Sequence, residues 1–185
     1  MSRYFDLIFA MLLLPLGCLL IVLCSIAIVV CDGRPVFFRS ERLGKDQNSF
    51  TIIKLRTMTS RAPLIPSSAE NAPLYVTKLG RILRLTSLDE LPQIFNILNG
   101  SMTFVGPRPC LASEVELVQS RERENIFSVT PGITGLAQVR GRDTISTRNK
   151  VRYESFYLKK KSTLFKLWII LITIRAVFRF DGVSH

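Results

Sequence analysis

An apolar run near the N-terminus constrains the fold of this chain more than any other feature. The 25 residues from Leu7 to Cys31 include no charged side chain, and Asp6 and Asp32 bound the run. As a helix, the run would be about 37 Å long, which is enough to cross the hydrocarbon core of a bilayer. A cleaved signal peptide fits poorly, because its apolar core is about 7–15 residues long. We therefore predict a membrane-embedded helix.

Pro15 and Gly17 interrupt this run and leave two topologies open. Proline inside a helix removes one hydrogen bond and kinks the axis. The run is then either one kinked span, which membrane helices tolerate, or a re-entrant helix that enters and leaves by the same membrane face. Many basic residues follow the run, whereas only Arg3 and the terminal amine precede it. The positive-inside rule therefore places the C-terminal part in the cytoplasm under both topologies.

The charge balance calls for an anionic partner. The 185 residues include 25 Lys and Arg against 14 Asp and Glu, a formal net charge of +11, yet 48% of the chain is hydrophobic. This combination excludes a disordered tail and favours lipid headgroups or phosphorylated substrates as partners. Nucleic acid is not expected, since no RNA-binding aromatic stretch, zinc finger or clear helix-turn-helix is present. Four cysteines without a CxxC pair and a single terminal histidine argue against a zinc site and a disulfide framework.

Beyond the run, the pattern predicts an α+β domain that is mostly helical. Two apolar segments, 35–42 and 50–56, flank a turn at 44–48 and predict a short β-hairpin. Three prolines within 61–75 predict a loop. Helices are expected at 77–86, 87–98, 113–127 and 148–180, an extended segment at 102–105 and a glycine-rich stretch at 131–142.

Two of these helices are candidates for the membrane surface. Three cations recur at steps of three from Lys78 to Arg84, which places them on one helical face. Simple solvation explains such a face equally well. Near the C-terminus, a basic cluster at 159–161 precedes a short apolar segment around Trp168. That pattern suits an amphipathic helix in the membrane interface, with an ordinary core helix as the alternative.

One acidic pair, Asp89-Glu90, stands in a basic and apolar neighbourhood. With Ser87 as cap and Glu90 three residues later, the segment matches a capping box, so these acids could serve only to start a helix. The functional alternative is a carboxylate nucleophile beside a metal-binding or acid–base neighbour. Adjacent residues on a helix face different ways, so the two carboxylates should have different tasks.

A site that handles phosphate groups needs cations, of which arginine fits phosphate geometry best, and often a metal ion. Glycines in turns would let the backbone approach a nucleotide, although neither a Walker A nor a Rossmann pattern is present. The candidates are Lys54, Arg56, Arg84, Arg108, Arg140 and Arg142, with Gly132, Gly135 and Gly141.

Four sequence blocks occur in a characteristic order. They are Lys54–Met58 (KLRTM), Ser87–Gln93 (SLDELPQ), Gly106–Pro109 (GPRP) and Pro131–Val139 (PGITGLAQV). In this order and spacing the chain resembles the bacterial monotopic phosphoglycosyl transferases, the bacterial sugar transferase family, over nearly its whole length. Its length is that of the small members of the family.

The resemblance implies a reaction. Members move a sugar 1-phosphate from a UDP-sugar to polyprenyl (undecaprenyl) phosphate at the bacterial inner membrane, release UMP and use Mg²⁺. This transfer is the first membrane step of glycoconjugate assembly. By motif match, Asp89 is the nucleophile that forms a covalent phosphosugar intermediate, and Glu90 is its metal-associated partner. The alternative is a non-catalytic, membrane-anchored scaffold or lipid-binding module, against which the intact acidic pair argues.

The resemblance also implies a topology and a substrate site. It predicts a re-entrant membrane helix at 1–33 and a cytosolic catalytic domain at 34–185 that includes the interfacial C-terminal helix. Small members usually break the helix at a Ser-Pro pair, whereas here Cys18-Leu19 stands at that place and Pro15 lies about one turn earlier. Segments 61–76 and 143–150 are expected to shape the sugar pocket. The expected substrate-binding residues are Lys54, Arg56, Arg84, Arg108, Gly132, Thr134, Gly135, Gln138, Arg140 and Arg142.

Overall fold

The computed structural model describes residues 3–63, 72–141, 145–160 and 162–179. Within these ranges the chain is mostly helical and contains two small two-stranded sheets, as the sequence predicts for an α+β chain. The helices are α1 (Arg3–Asp32), α2 (Lys78–Leu85), α3 (Ile94–Asn99), α4 (Val115–Arg123), α5 (Leu136–Val139), α6 (Thr147–Lys160) and α7 (Thr163–Arg179). The strands are β1 (Phe37–Leu43), β2 (Ser49–Leu55), β3 (Thr103–Val105) and β4 (Gly132–Thr134). Single 3₁₀ turns occupy Lys45–Gln47, Ala72–Tyr75, Leu88–Gln93 and Ile126–Ser128.

The predicted β-hairpin is confirmed. Strands β1 and β2 are antiparallel, and Phe37 lies opposite Leu55 while Leu43 lies opposite Ser49. The turn between them contains a residue at φ 54, Asp46, a conformation that Asp adopts more readily than most residues. The hairpin matters for the site because β2 packs against the 3₁₀ turn Leu88–Gln93.

The second sheet was not predicted. Strands β3 and β4 form a parallel pair in which Thr103 lies opposite Gly132 and Val105 lies opposite Thr134. The two backbones approach so closely that a Cβ atom on Gly132 would lie 2.1 Å from the backbone nitrogen of Gly106. This sheet brings the glycine-rich segment beside the segment that carries Arg108.

Helix α1 buries one face against the rest of the chain. Ala10 packs in a cluster with Ile97 and Met102, whereas Ile21 and Ile28 pack in a second cluster with residues of β2 and α2. The helix is assigned without interruption through Pro15, and it is the one described helix that is long and apolar enough to cross a membrane. Most of its remaining side chains are exposed and apolar.

Both ends of α1 are fixed to the same body of the protein. Near the start, Arg3 donates to the backbone oxygens of Ile97 and Leu98, and the buried Asp6 accepts from the Thr103 hydroxyl at 2.8 Å. At the other end, the Asp32 carboxylate accepts from the Thr77 hydroxyl at 2.8 Å. The helix therefore lies along the domain over its whole length.

The helix boundaries correct the predicted capping box at Ser87. Ser87 is left-handed at φ 58 and makes no capping hydrogen bond, and a 3₁₀ turn precedes the short α3. Ser113 does not cap α4 either, since that helix begins at Val115. The Glu114 carboxylate instead accepts from the Leu111 backbone N–H at 2.7 Å. At Ser87, partners 36 and 18 residues away bind the Glu90 carboxylate that the local pattern assigns to the cap.

The other helix predictions are confirmed with shifted boundaries. Thr77 caps α2 by accepting from the Gly80 N–H at 2.8 Å, and Gly100 ends α3 at φ 92. The last helical region consists of two helices, α6 and α7, rather than one. Of the predicted loop, 64–71 lie outside the described residues.

Helices α1 and α7 each expose a set of apolar side chains, and these residues together are here called the apolar face. On α7 the exposed residues recur at steps of three and four, which is one helical stripe. These residues are Leu164, Leu167, Trp168, Leu171 and Ile174. On α1 they are Tyr4, Ile8, Met11, Leu12, Leu13, Leu16, Leu19, Val22, Leu23, Ile26, Val29 and Val30. A surface this apolar is typical of contact with a membrane or another protein.

Candidate active site

The Glu90 carboxylate joins three blocks that are far apart in the sequence. One of its oxygens, Oε1, accepts from Lys54 Nζ at 2.9 Å and from both terminal nitrogens of Arg108 at 3.2 Å. Lys54 extends from β2, whereas Arg108 follows β3. The side chains of Lys54 and Glu90 are 17% and 15% exposed, so this ion pair is screened less than a surface pair.

Asp89 is buried beside this ion cluster, with 8% of its surface exposed. Burial raises the pKa of its carboxyl from the usual 3.8 to about 6. Lys54 opposes the rise, Glu90 adds to it, and Arg84 and Arg108 oppose it more weakly. Near neutral pH the carboxylate is therefore ionised yet poorly solvated and surrounded by cations. This state suits a nucleophile that attacks an anionic centre.

A cavity of about 690 Å³ opens next to Glu90. Its walls come from the middle of α1, the turn at 87–94, the segment 133–141 and the second half of α7. Asp89 is not among its lining residues. The charged lining residues are Glu90, Arg108, Arg140 and Arg175. The apolar ones are Leu13, Leu16, Leu20, Leu91, Ile94, Phe104, Ile133, Val139, Ile172 and Ala176. The cavity thus combines a cationic part with an apolar part, and it suits an amphipathic anion.

Gly17 adds room to the apolar part. It is buried in α1 and lines the cavity, yet a Cβ atom at this position would meet no heavy atom within 4 Å. Its missing side chain is therefore cavity space and does not serve close helix packing.

The structure brings most of the predicted site residues together. Lys54, Glu90 and Arg108 are in direct contact. Arg84 donates to the Thr57 hydroxyl at 2.9 Å and lies close enough to affect the pKa of Asp89. The remaining predicted residues that line the cavity are Thr134, Gln138 and Arg140, together with Gly141.

Other predicted residues have different surroundings. The buried Arg56 donates to the carbonyls that end α1 and does not line the cavity. Gly132 and Gly135 approach the backbone of Gly106 so closely that a Cβ would clash there. Packing between chain segments therefore explains why these two positions are glycines, and close approach of a nucleotide is not needed to explain them. Arg142 lies outside the described residues.

Two parts of the site were missed by sequence reasoning. The first is the apolar wall from α1, whose residues were treated only as membrane anchor. The second is Arg175, which lies in the predicted interfacial C-terminal helix and was not among the candidate site residues. The signal that could have found Arg175 is its place in α7, since it interrupts an apolar stripe next to Ile174.

The position of Glu90 fits one mode of magnesium binding. No group of three or more His, Cys, Asp or Glu side chains in the described ranges is arranged to hold a metal. Mg²⁺, however, commonly takes one or two carboxylates and completes its coordination with water and substrate phosphates. Glu90 offers one such carboxylate, and it reaches the cavity, where substrate phosphates could supply the other ligands.

Comparisons with known proteins agree with these features. Residues 1–180 match the sequence profile of the bacterial sugar transferases. An uncharacterised sugar transferase of Bacillus subtilis, EpsL, is 36% identical over 100% of this chain and 91% of its own length. A UDP-glucose:undecaprenyl-phosphate glucose-1-phosphate transferase of Caulobacter vibrioides is 36% identical over 98% of this chain and 71% of its own length. A UDP-galactose-lipid carrier transferase of Erwinia amylovora is 33% identical over 98% of this chain and 41% of its own length. The chain belongs to the bacterial sugar transferase family.

Proposed function

We propose that this protein is a membrane phosphoglycosyl transferase that moves a sugar 1-phosphate from a UDP-sugar to undecaprenyl phosphate and releases UMP. The observation that carries the proposal is the contact of Glu90 with Lys54 and Arg108, beside Asp89 and at the rim of an amphipathic cavity. The names of the Caulobacter and Erwinia relatives support the same donor and acceptor classes. A non-catalytic scaffold would not require a buried carboxylate among three cations.

In the first step, an oxygen of the Asp89 carboxylate attacks the phosphorus that carries the sugar. The bond from this phosphorus to the bridging oxygen breaks, and UMP leaves with that oxygen. Lys54, Arg84 and Arg108 offset the repulsion between the carboxylate and the diphosphate. Because Asp89 adjoins the cavity wall without lining it, the step requires its side chain to turn toward the cavity.

In the second step, a phosphate oxygen of undecaprenyl phosphate attacks the same phosphorus. The bond between this phosphorus and Asp89 breaks, which restores the carboxylate and yields a polyprenyl diphosphate sugar. Leu13, Leu16 and Leu20 supply an apolar wall for the prenyl chain. Mg²⁺ bound by Glu90 and the donor would neutralise charge that develops on the phosphate oxygens.

The first experiment is UMP release by the purified protein in detergent or nanodiscs. A panel of UDP-sugars is supplied with undecaprenyl phosphate and Mg²⁺. We expect UMP release from one or two of the UDP-sugars. More than one UMP per protein molecule should be released only when undecaprenyl phosphate is present. Folded protein that binds undecaprenyl phosphate but releases no UMP from any donor would favour the scaffold.

The raised pKa of Asp89 predicts a pH dependence. Because only the ionised carboxylate attacks, the rate of the first step should fall about tenfold per pH unit below pH 6 and level off above pH 7. The measurement is the rate of UMP release in a single turnover without acceptor. This choice matters because a phosphate monoester such as the acceptor itself titrates near pH 6. A flat profile between pH 5 and 7 would contradict the assignment, provided that the protein stays folded at pH 5.

We further propose that α1 is a re-entrant membrane helix and that the rest of the chain faces the cytoplasm at the bacterial inner membrane. Contacts at both ends of α1 support this topology. Near the start of the helix Arg3 and Asp6 bind the domain, and at its end Asp32 binds the same domain. In a spanning helix one of these anchors would lie on the far side of the bilayer. The contacts of that anchor could then not form, because their partners in the domain would remain on the other side of the membrane.

This topology predicts that both termini lie in the cytoplasm. Green fluorescent protein fused to either end should fluoresce, and alkaline phosphatase fused to either end should be inactive. The matched control is a fusion of the same reporters to a protein with a single spanning helix, which gives opposite results at its two ends. An active phosphatase at the N-terminus would show that α1 spans the membrane.

A further inference from the structure

We propose that Arg175 binds the phosphate group of the lipid acceptor and thereby serves the second step of the reaction and not the first. This inference rests on the proposed function and adds a residue on α7 to the site. The UDP-sugar and the lipid acceptor would then be bound by different cationic residues of the same cavity.

The position of Arg175 is fixed by contacts of its own helix. The Thr173 hydroxyl lies 2.7 Å from the Thr134 hydroxyl of β4, and the side chain of Ile169 is fully buried. These contacts hold the second half of α7 against the sheet that borders the cavity. Arg175, two residues after Thr173, then lines the cavity together with Ile172 and Ala176.

The charge of Arg175 is available for a ligand. Helix α7 carries no acidic residue, and within the described part of the chain no ion pair joins Arg175. By contrast, Arg108 in the same cavity is engaged by Glu90 at 3.2 Å. Arg175 is solvent-exposed, and its guanidinium can give a phosphate a charge-assisted hydrogen bond, which is stronger than a hydrogen bond between neutral groups.

The surroundings of Arg175 favour the lipid phosphate over the donor diphosphate. The residue follows Ile174 of the apolar face, and it shares the cavity with Leu13, Leu16 and Leu20 of α1. A prenyl chain can remain on this apolar surface while its phosphate reaches the guanidinium. The donor has no such chain, and its diphosphate is served by the cations around Asp89 and Glu90.

The test separates the two half-reactions. For Arg175→Ala, the single-turnover release of UMP without acceptor should keep its wild-type rate and amplitude. The KM for undecaprenyl phosphate should rise about 10- to 100-fold, as expected for the loss of one charged hydrogen bond. Arg175→Lys should restore part of the loss. The matched control is Lys166→Ala, which removes the other cation of α7 whose side chain is described and which does not line the cavity.

The outcomes are distinguishable from failure of the proposed function. If the wild-type protein releases UMP, the proposed function stands irrespective of the variant. An unchanged acceptor KM in Arg175→Ala would overturn the inference. A raised KM for the UDP-sugar would also overturn it, since Arg175 would then bind the donor. A parallel loss of both half-reactions in Arg175→Ala and Arg175→Gln would overturn it too, since a role in folding would then explain the effect.

Discussion

Asp89→Asn is expected to reduce UMP release by at least about 10³-fold while leaving the protein folded. Loss of a covalent nucleophile typically has an effect of this size or larger. The fold should tolerate the change, because asparagine has nearly the same shape and a neutral amide avoids the desolvation that raises the pKa of Asp89. In this variant Glu90 still forms its ion pairs with Lys54 and Arg108.

The covalent step gives this prediction a second readout. Incubated with its UDP-sugar donor but no acceptor, the wild-type protein should gain the mass of one sugar phosphate, and peptide analysis should locate it at Asp89. The Asn variant should gain nothing. The matched control is Asp46→Asn, which changes an exposed carboxylate in a left-handed turn that asparagine adopts readily. Wild-type turnover by Asp89→Asn would refute the covalent mechanism, even if the overall reaction were confirmed.

Local sequence signals predicted the elements whose stabilisation is local. The β-hairpin follows from two apolar segments and a polar turn, and the helix expected at 77–86 is α2, which Thr77 caps locally. The four ordered blocks brought Lys54, Glu90 and Arg108 into one expected site, and the structure places them in contact. These features depend on residue type and spacing, which a single sequence displays directly.

Features stabilised by distant partners could not be predicted in this way. Glu90 forms ion pairs with residues 36 and 18 positions away instead of closing a capping box with Ser87. The three-residue strands β3 and β4 are too short to give a periodic pattern, and their pairing depends on the close approach of Gly106 and Gly132. The role of Arg175 emerges only when α1 and α7 are seen to line one cavity.

Lys54 and Arg56 show this limit most clearly, because one motif carries both. The sequence assigned both cations to substrate phosphates. The Lys54 ammonium does reach Glu90, at 2.9 Å. Arg56, which is 7% exposed, instead donates to the carbonyls of Asp32, Gly33 and Arg34 at 2.7, 2.6 and 3.0 Å. Its positive charge faces the negative end of the α1 dipole, so the residue holds the end of α1 on the hairpin.

Arg56→Ala should therefore destabilise the fold, whereas Lys54→Ala should mainly reduce activity. Hydrogen bonds to charged groups contribute about 1.5–3 kcal/mol each, so loss of the Arg56 guanidinium should cost about 3 kcal/mol or more. For a chain of this size that corresponds to a fall of about 10 °C in Tm. The measurement is thermal unfolding in detergent, with Arg39→Ala on the exposed side of β1 as control.

Lys54→Ala should keep a Tm close to wild type, because Arg108 still pairs with Glu90. A wild-type Tm combined with a raised KM for the UDP-sugar in Arg56→Ala would restore the substrate-binding role that the sequence suggests.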